Sequence, residues 1–304
     1  MSFRNLLTTR NAVLAGVLIM LAGDFMFALL DALAKWLATS FPIGQVILIR
    51  SIASLLFLSP MIARQGVGSL FRLERPAVQV MRVVAMCFDV FFFYLAVVRL
   101  PLADVMSFYM AGPIYVAALS HFMLGERVGW RRWGAILLGF AGVLIILRPT
   151  SGVFSYGSLY ALVGSFGFAF AIIFSRMLRG TSDTVLITWQ TIGAALVAGV
   201  LAIGNWTPAT GFDYGAMVVL GIVSCIAHML ITRALKLAPA STLAPLHYSL
   251  LLWAIVFGWV FFGDVPGWRT LAGAAVVVLA GLFIVHRQKV KSEVPPENVP
   301  SSVN

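Results

Sequence analysis

Residues 100–142 are echoed about 138 positions later, and this echo limits the architectures open to the chain more than any other feature. Pro101, Gly125, Gly129, Trp130 and Arg131 recur as Pro239, Gly263, Gly267, Trp268 and Arg269. The acidic residue after the first glycine recurs as Glu126 and Asp264. After a one-residue slip, Gly134, Ala141 and Gly142 align with Gly273, Ala280 and Gly281; upstream, Cys87 and Ala96 match Cys225 and Ala234. Each copy reads as five apolar helices. An odd number of spans places the second copy upside down in a bilayer, the arrangement of proteins whose halves rock about a midplane site.

The bilayer follows from composition. The chain is 61% hydrophobic and only 11% charged, with a mean hydropathy of +0.99. Soluble domains carry roughly 25% charged residues. The apolar runs fall near Ala12–Leu37, Ile43–Ala63, Ala77–Val98, Leu102–Leu124 and Trp133–Leu147, then Tyr156–Ser175, Thr184–Gly204, Tyr214–Leu235, Leu243–Phe262 and Trp268–His286. Most can cross a hydrocarbon core of about 30 Å, and lipid requires them to be helices because it offers backbone groups no partners. The fold class is therefore all-α integral membrane, with ten transmembrane helices in two inverted five-helix repeats. The first repeat spans residues 1–149 and the second 150–290, with a disordered cytoplasmic tail over 291–304. Arg4 and Arg10 ahead of an apolar run imitate a signal peptide, but Asp24 interrupts that run, so the first helix is expected to stay uncleaved.

A net charge of +10 raises the question of nucleic acid. The basic residues sit in short gaps between apolar runs, which fits membrane orientation better, and no nucleic-acid partner is expected. With the N-terminus in the cytoplasm, the cytoplasmic side holds Arg4, Arg10, Arg64, Arg72, Arg75, Arg127, Arg131, Arg132, Arg176, Arg179, Arg233, Lys236, Arg287, Lys289 and Lys291. The opposite side holds Lys35, Arg99, Arg148 and Arg269. That bias puts both termini inside a multi-pass protein of the inner (plasma) membrane. Two cysteines inside apolar runs imply no disulfide framework, and no metal spacing or GxxxxGK[ST] loop occurs, so no cofactor, metal or ATPase motor is expected.

Taken in order, these residues resemble the EamA-type family of the drug/metabolite transporter superfamily. The first half of the pattern covers Lys35, Pro42, Arg50, Tyr94-Leu95-Ala96, Pro101, Pro113, Gly125-Glu126 and Gly134 to Gly142. The second covers Arg176, Arg233-Ala234-Leu235, Pro239, Gly263-Asp264, Gly273 and Gly281. The resemblance implies ten helices in inverted repeats, a central cavity and export of small metabolites, with amino-acid exporters, aromatic ones included, among the relatives. Leu251 stands where the second half would repeat Pro113, and Ala244-Pro245-Leu246-His247-Tyr248 takes over that region.

Ionisable groups inside the apolar runs are the first candidates for a site, because they are expensive in lipid. Asp24 and Asp31 are seven apart and share a face; Asp31 and Lys35 are four apart and can pair. Lys35 is also placed to snorkel to the outer surface. Arg50 lies within the second run, and Arg82 and Asp89 are seven apart in the third. Two readings stand side by side. Either these charges neutralise one another and lock the bundle, or they form a mixed-charge site for a zwitterion or a proton relay. Histidine as a residue type changes charge near physiological pH, which makes the intramembrane His228 and His247 candidates for proton coupling; His247 is favoured because Pro245 loosens the backbone beside it and Tyr248 and Ser249 follow. Tyr94 and Tyr109 add polar aromatic surface.

The function expected is a secondary transporter exporting small metabolites, amino acids with aromatic ones among them, by alternating access through a cavity between the repeats. Uptake or exchange of another small metabolite, such as a nucleoside-like compound, is the alternative. A membrane-embedded enzyme is disfavoured, since no HExxH pair or GxSxG elbow occurs and no residue is assigned a catalytic role. The partners expected are a small-molecule substrate and the lipid bilayer, with a monomer as the unit.

Overall fold

Apolar runs of this length leave the backbone one economical solution in lipid, and the computed structural model, which describes residues 3–123, 130–147, 156–178, 180–237 and 243–293, is helical over most of them. In chain order the helices are α1 (Phe3–Ser40), α2 (Ile43–Gln65), α3 (Pro76–Val97), α4 (Leu102–Tyr109), α5 (Gly112–Met123), α6 (Trp130–Leu147), α7 (Tyr156–Met177), α8 (Asp183–Ala202), α9 (Gly211–Leu237), α10 (Ser249–Phe262) and α11 (Trp268–Glu293). Short 3₁₀ turns occupy Val67–Leu70 and Ala244–Tyr248. Glu126, Pro239 and the other motif residues at 124–129 and 238–242, and the proposed tail beyond Glu293, lie outside the described residues.

Seven segments are long and apolar enough to cross a membrane: Leu14–Ser40, Ile43–Gln65, Pro76–Val97, Leu102–Met123, Tyr156–Met177, Asp183–Ala202 and Gly211–Ile231. Trp133–Ile146, Leu246–Phe262 and Trp268–Phe283 are shorter apolar helices. The chain is a multi-pass membrane protein. Its surface confirms the solvent: Leu56, Leu137, Val200, Leu252 and Leu279 point outward, while Asp24, Gln45, Gln79, Arg82 and Asp89 are buried.

One expected span is not a single helix. The run Leu102–Leu124 breaks at Met110 and Ala111, between α4 and α5. Pro113 has no N–H to offer the Tyr109 carbonyl, so the ladder restarts with Ile114 and Tyr115 donating to Ala111. Tyr109 is thereby the last residue of α4, beside the break. The segment before α10 likewise opens with a 3₁₀ turn that carries His247 and Tyr248.

The most extensive interfaces join α3 to α7, α1 to α9, α6 to α11 and α2 to α8. Every one of them ties the first half of the chain to the second. Where α6 crosses α11, a Cβ on Gly142 would stand 3.0 Å from the Gly273 carbonyl oxygen, so only small residues allow that approach. At one end of the bundle Lys35, Leu100 and Asp264 meet. At the other, Gln65 and the 66–74 turn face Gly180, Thr181 and Ser182.

Candidate functional site

Midway along α2, α3, α8 and α9 lies a small, partly enclosed cavity of mixed polar and apolar lining. Arg50, Ser51 and Ser54 line it from α2, Met86 and Val90 from α3, Ile187, Gln190, Thr191 and Ala194 from α8, and Ser224, Cys225 and His228 from α9. In this conformation it is closed down almost to the size of a water molecule. Both halves of the chain contribute walls.

Arg50 is the cationic group of this cavity. Its Nη1 donates to the hydroxyl of the fully buried Tyr94 at 3.3 Å. No carboxylate among the described residues lies within the 4 Å of an ion pair. Asp31 and Asp89 act on the guanidinium from further away. Asp89 is buried and its Oδ1 accepts from the Tyr109 hydroxyl at 2.7 Å, across the gap from α3 to the end of α4. Asp31 accepts no hydrogen bond among the described residues and lies in the region of Arg50 and Asp89. On the cavity wall, His228 Nδ1 donates to the Ser224 carbonyl at 2.8 Å. A carbonyl only accepts, so the proton resides on Nδ1 and Nε2 remains for another partner.

Arg82 behaves differently. Its Nε donates to Ser175 Oγ at 2.7 Å, its Nη1 to the Leu186 carbonyl at 3.1 Å and its Nη2 to Gln190 Oε1 at 3.3 Å. It clamps α3 to α7 and α8 rather than pairing with Asp89 on its own face. By holding the Gln190 oxygen it also leaves the Gln190 amide nitrogen, a donor, for the cavity.

A second cluster forms nearer the 3₁₀ turn. Asp24 is fully buried, and its two oxygens take His247 Nδ1 at 2.7 Å and Ser249 Oγ at 3.0 Å. Tyr248 belongs to neither cluster: it packs on α11 at Gly281, where any Cβ would overlap the phenol, and its hydroxyl has no hydrogen-bond partner among the described residues. Lys35 corrects two expectations at once. It pairs not with Asp31 but with Asp264, at 2.6 Å, and it is buried rather than snorkelled. A partner brought in from the turn after α10 removes the need to reach water.

Six of the sequence candidates, Asp31, Arg50, Asp89, Tyr94, Tyr109 and His228, thus converge, and Asp24, His247 and Ser249 form a separate group. Gln190 escaped the sequence reading; a polar amide beside Thr191 in an otherwise apolar run was the signal for it. Among the described residues no three His, Cys, Asp or Glu side chains converge as a metal site.

A membrane bundle with a charge-bearing cavity walled by both halves of the chain suits a solute-translocating class of protein. The comparisons with known proteins agree. The model of the EamA-like transporter family matches residues 14–148 and again 155–286, and the chain belongs to that family. It is a transporter of small molecules and not an enzyme. The pseudopaline exporter of Pseudomonas aeruginosa is 28% identical over 280 residues, covering 90% of this chain and 97% of its own. The S-adenosylmethionine uptake transporter of Rickettsia bellii is 27% identical over 262 residues, covering 85% of this chain and 89% of its own. A solved crystal structure shares the fold with a TM-score of 0.62 and 20% identity, over 94% of this chain and 99% of that one.

Proposed function

We propose that this protein is a secondary transporter that exports small zwitterionic metabolites, amino acids first and aromatic ones among them, by alternating access. The observation that carries this reading is Arg50: a guanidinium at mid-membrane with one phenol partner, facing a cavity. An intramembrane cation with no carboxylate in direct contact is costly, and a ligand carboxylate would supply that contact. In this reading a substrate carboxylate takes Arg50 and the Gln190 amide, while Asp31 and Asp89 receive the ammonium group. Phe27, at 4.8 Å from His228, offers a flat partner near the same wall.

The architecture belongs to the proposal as well. Three shorter apolar helices added to the seven long spans give ten, in two inverted repeats over residues 1–149 and 150–290, with 291–304 as a tail. Two separate matches to one family model support the repeat. So does the pairing of helices: α1 with α9 mirrors α7 with α3, while α2–α8 and α6–α11 pair like with like. The charge bias supports cytoplasmic termini and an inner-membrane location for a monomer whose partners are its solute and the bilayer, not nucleic acid.

Relatives are named for export and for uptake, so uptake or exchange of another metabolite is the second reading, favoured by the S-adenosylmethionine relative. Counterflow in proteoliposomes with labelled phenylalanine, alongside Arg50→Gln and Asp89→Asn, tests the first. Saturable exchange abolished by both changes supports it. Exchange indifferent to both makes the charges structural, and no exchange removes phenylalanine and turns the search to other metabolites.

A further inference from the structure

The end of the bundle that holds Lys35 is closed by a contact unrelated to the cavity's binding groups. Lys35 leaves α1 one turn before its end, and its Nζ lies 2.6 Å from Asp264 Oδ2, 3.1 Å from the Leu100 carbonyl oxygen and 4.7 Å from the centre of the Phe262 ring. One ammonium therefore gathers three separate pieces of chain: α1, the α3–α4 junction and the α10–α11 turn. The two charged residues, Lys35 and Asp264, are 229 residues apart, one in each half of the sequence.

The turn is built to aim the carboxylate. Gly263 sits at φ +67°, in the left-handed region open to glycine. Its N–H donates to the Trp259 carbonyl and that of Asp264 to the Gly258 carbonyl, both at 3.0 Å, which is the double-bonded helix stop that a glycine permits. Asp264 follows directly, so its position is set by the helix end and not by a flexible loop. This gives Gly263-Asp264 a physical reason: the glycine ends α10 and the acid reaches back to a basic residue on the first helix of the chain.

The exposure of the pair is intermediate. The Lys35 side chain is 10% exposed and that of Asp264 28%. A fully buried pair is costly to separate because each charge would be stranded, whereas a surface pair holds almost nothing. A pair at the rim lies between, strong enough to hold two halves together and wet enough to part.

We infer that Lys35 and Asp264 are the latch of this mouth: joined while the cavity is closed, and parted whenever it opens on that side. The inference rests on the alternating-access reading above and adds to it the contact that governs one gate.

The chain supplies its own reporter. Its two cysteines are Cys87 and Cys225, and Cys225 is buried on the cavity wall. In a Cys87→Ser background Cys225 is the single thiol, and a membrane-impermeant methanethiosulfonate applied to right-side-out and inside-out vesicles reads access from each face. Asp264→Asn and Lys35→Met should each raise the labelling rate from the Lys35 face roughly tenfold, about 1.4 kcal/mol in the opening equilibrium, and leave the other face unchanged. The exchanged pair Lys35→Asp with Asp264→Lys should return the rate toward that of the parent. Should a stranded charge unfold the single variants, the double change Lys35→Met with Asp264→Leu removes both charges and must show the same rise. Labelling from the Lys35 face that does not move, or that rises equally from both faces, overturns the latch and leaves a static tie. Access and transport are read separately: raised labelling without exchange of any solute removes the proposed function and spares the latch, and exchange with unmoved labelling does the reverse.

Discussion

Arg50 and Arg82 are the two arginines set deep in apolar helices, and nothing local in the sequence separates them. Their surroundings do. Arg82 spends its donors on Ser175, the Leu186 carbonyl and Gln190, all neutral and all on helices of the other half. Arg50 has one hydroxyl and a cavity. The first is a clamp whose charge is solvated by fixed dipoles; the second is a charge whose best partner is not part of the protein. A membrane-embedded charge thus marks a candidate site, and the inventory of its partners decides whether the site is structural or functional.

The comparison can be broken at Arg82 first. Arg82→Met strands three acceptors in the bundle at once and should lower stability by about 3 kcal/mol or more, seen as a large drop in the thermal unfolding midpoint of the detergent-solubilised protein. A near-parental midpoint would show that the three bonds are dispensable, and the contrast would fall. Arg50→Gln should do the opposite. It leaves only the Tyr94 hydroxyl without its neighbour, so stability should stay within about 1 kcal/mol, while solute counterflow drops roughly a hundredfold as a charge-assisted contact of 2–3 kcal/mol is lost. If Arg50→Gln instead unfolds the protein, the two arginines are alike.

Smaller changes sharpen the same contrast. Arg50→Lys keeps the charge but not the planar fork that matches a carboxylate, and should weaken counterflow by roughly tenfold, chiefly through a raised half-saturation concentration. Tyr94→Phe removes one hydrogen bond of 3.3 Å from Arg50 and should cost about 1 kcal/mol in either stability or half-saturation, with the maximal rate little changed. An effect of Tyr94→Phe as large as that of Arg50→Gln would place the phenol itself against the solute.

Sequence reading went furthest where the signal was local. Hydropathy found the apolar segments, and the intramembrane aspartates, arginines and histidines were visible as polar interruptions of them. It failed on partners. Asp24 and Asp31 share a face of α1, yet seven residues are about 10.5 Å along the axis, enough to meet different neighbours. Asp24 therefore meets His247 and Ser249, while Asp31 faces the region of Arg50 and Asp89. Arg82 and Asp89 diverge in the same way, to α7 and α8 on one hand and to Tyr109 on the other. Lys35 had an obvious partner four residues away and took one in the other half instead. The break between α4 and α5 was foreshadowed by Pro113, although the run around it read as one span.

By itself the sequence determined the solvent and the helices, because a chain this apolar satisfies its backbone in lipid by local, intra-helical hydrogen bonds. Only the tertiary structure decided which charges are satisfied and which are left facing a cavity. Those contacts join residues such as Lys35 and Asp264, or Arg82 and Leu186, that lie far apart in the chain, and helix packing rather than any local preference sets their distances.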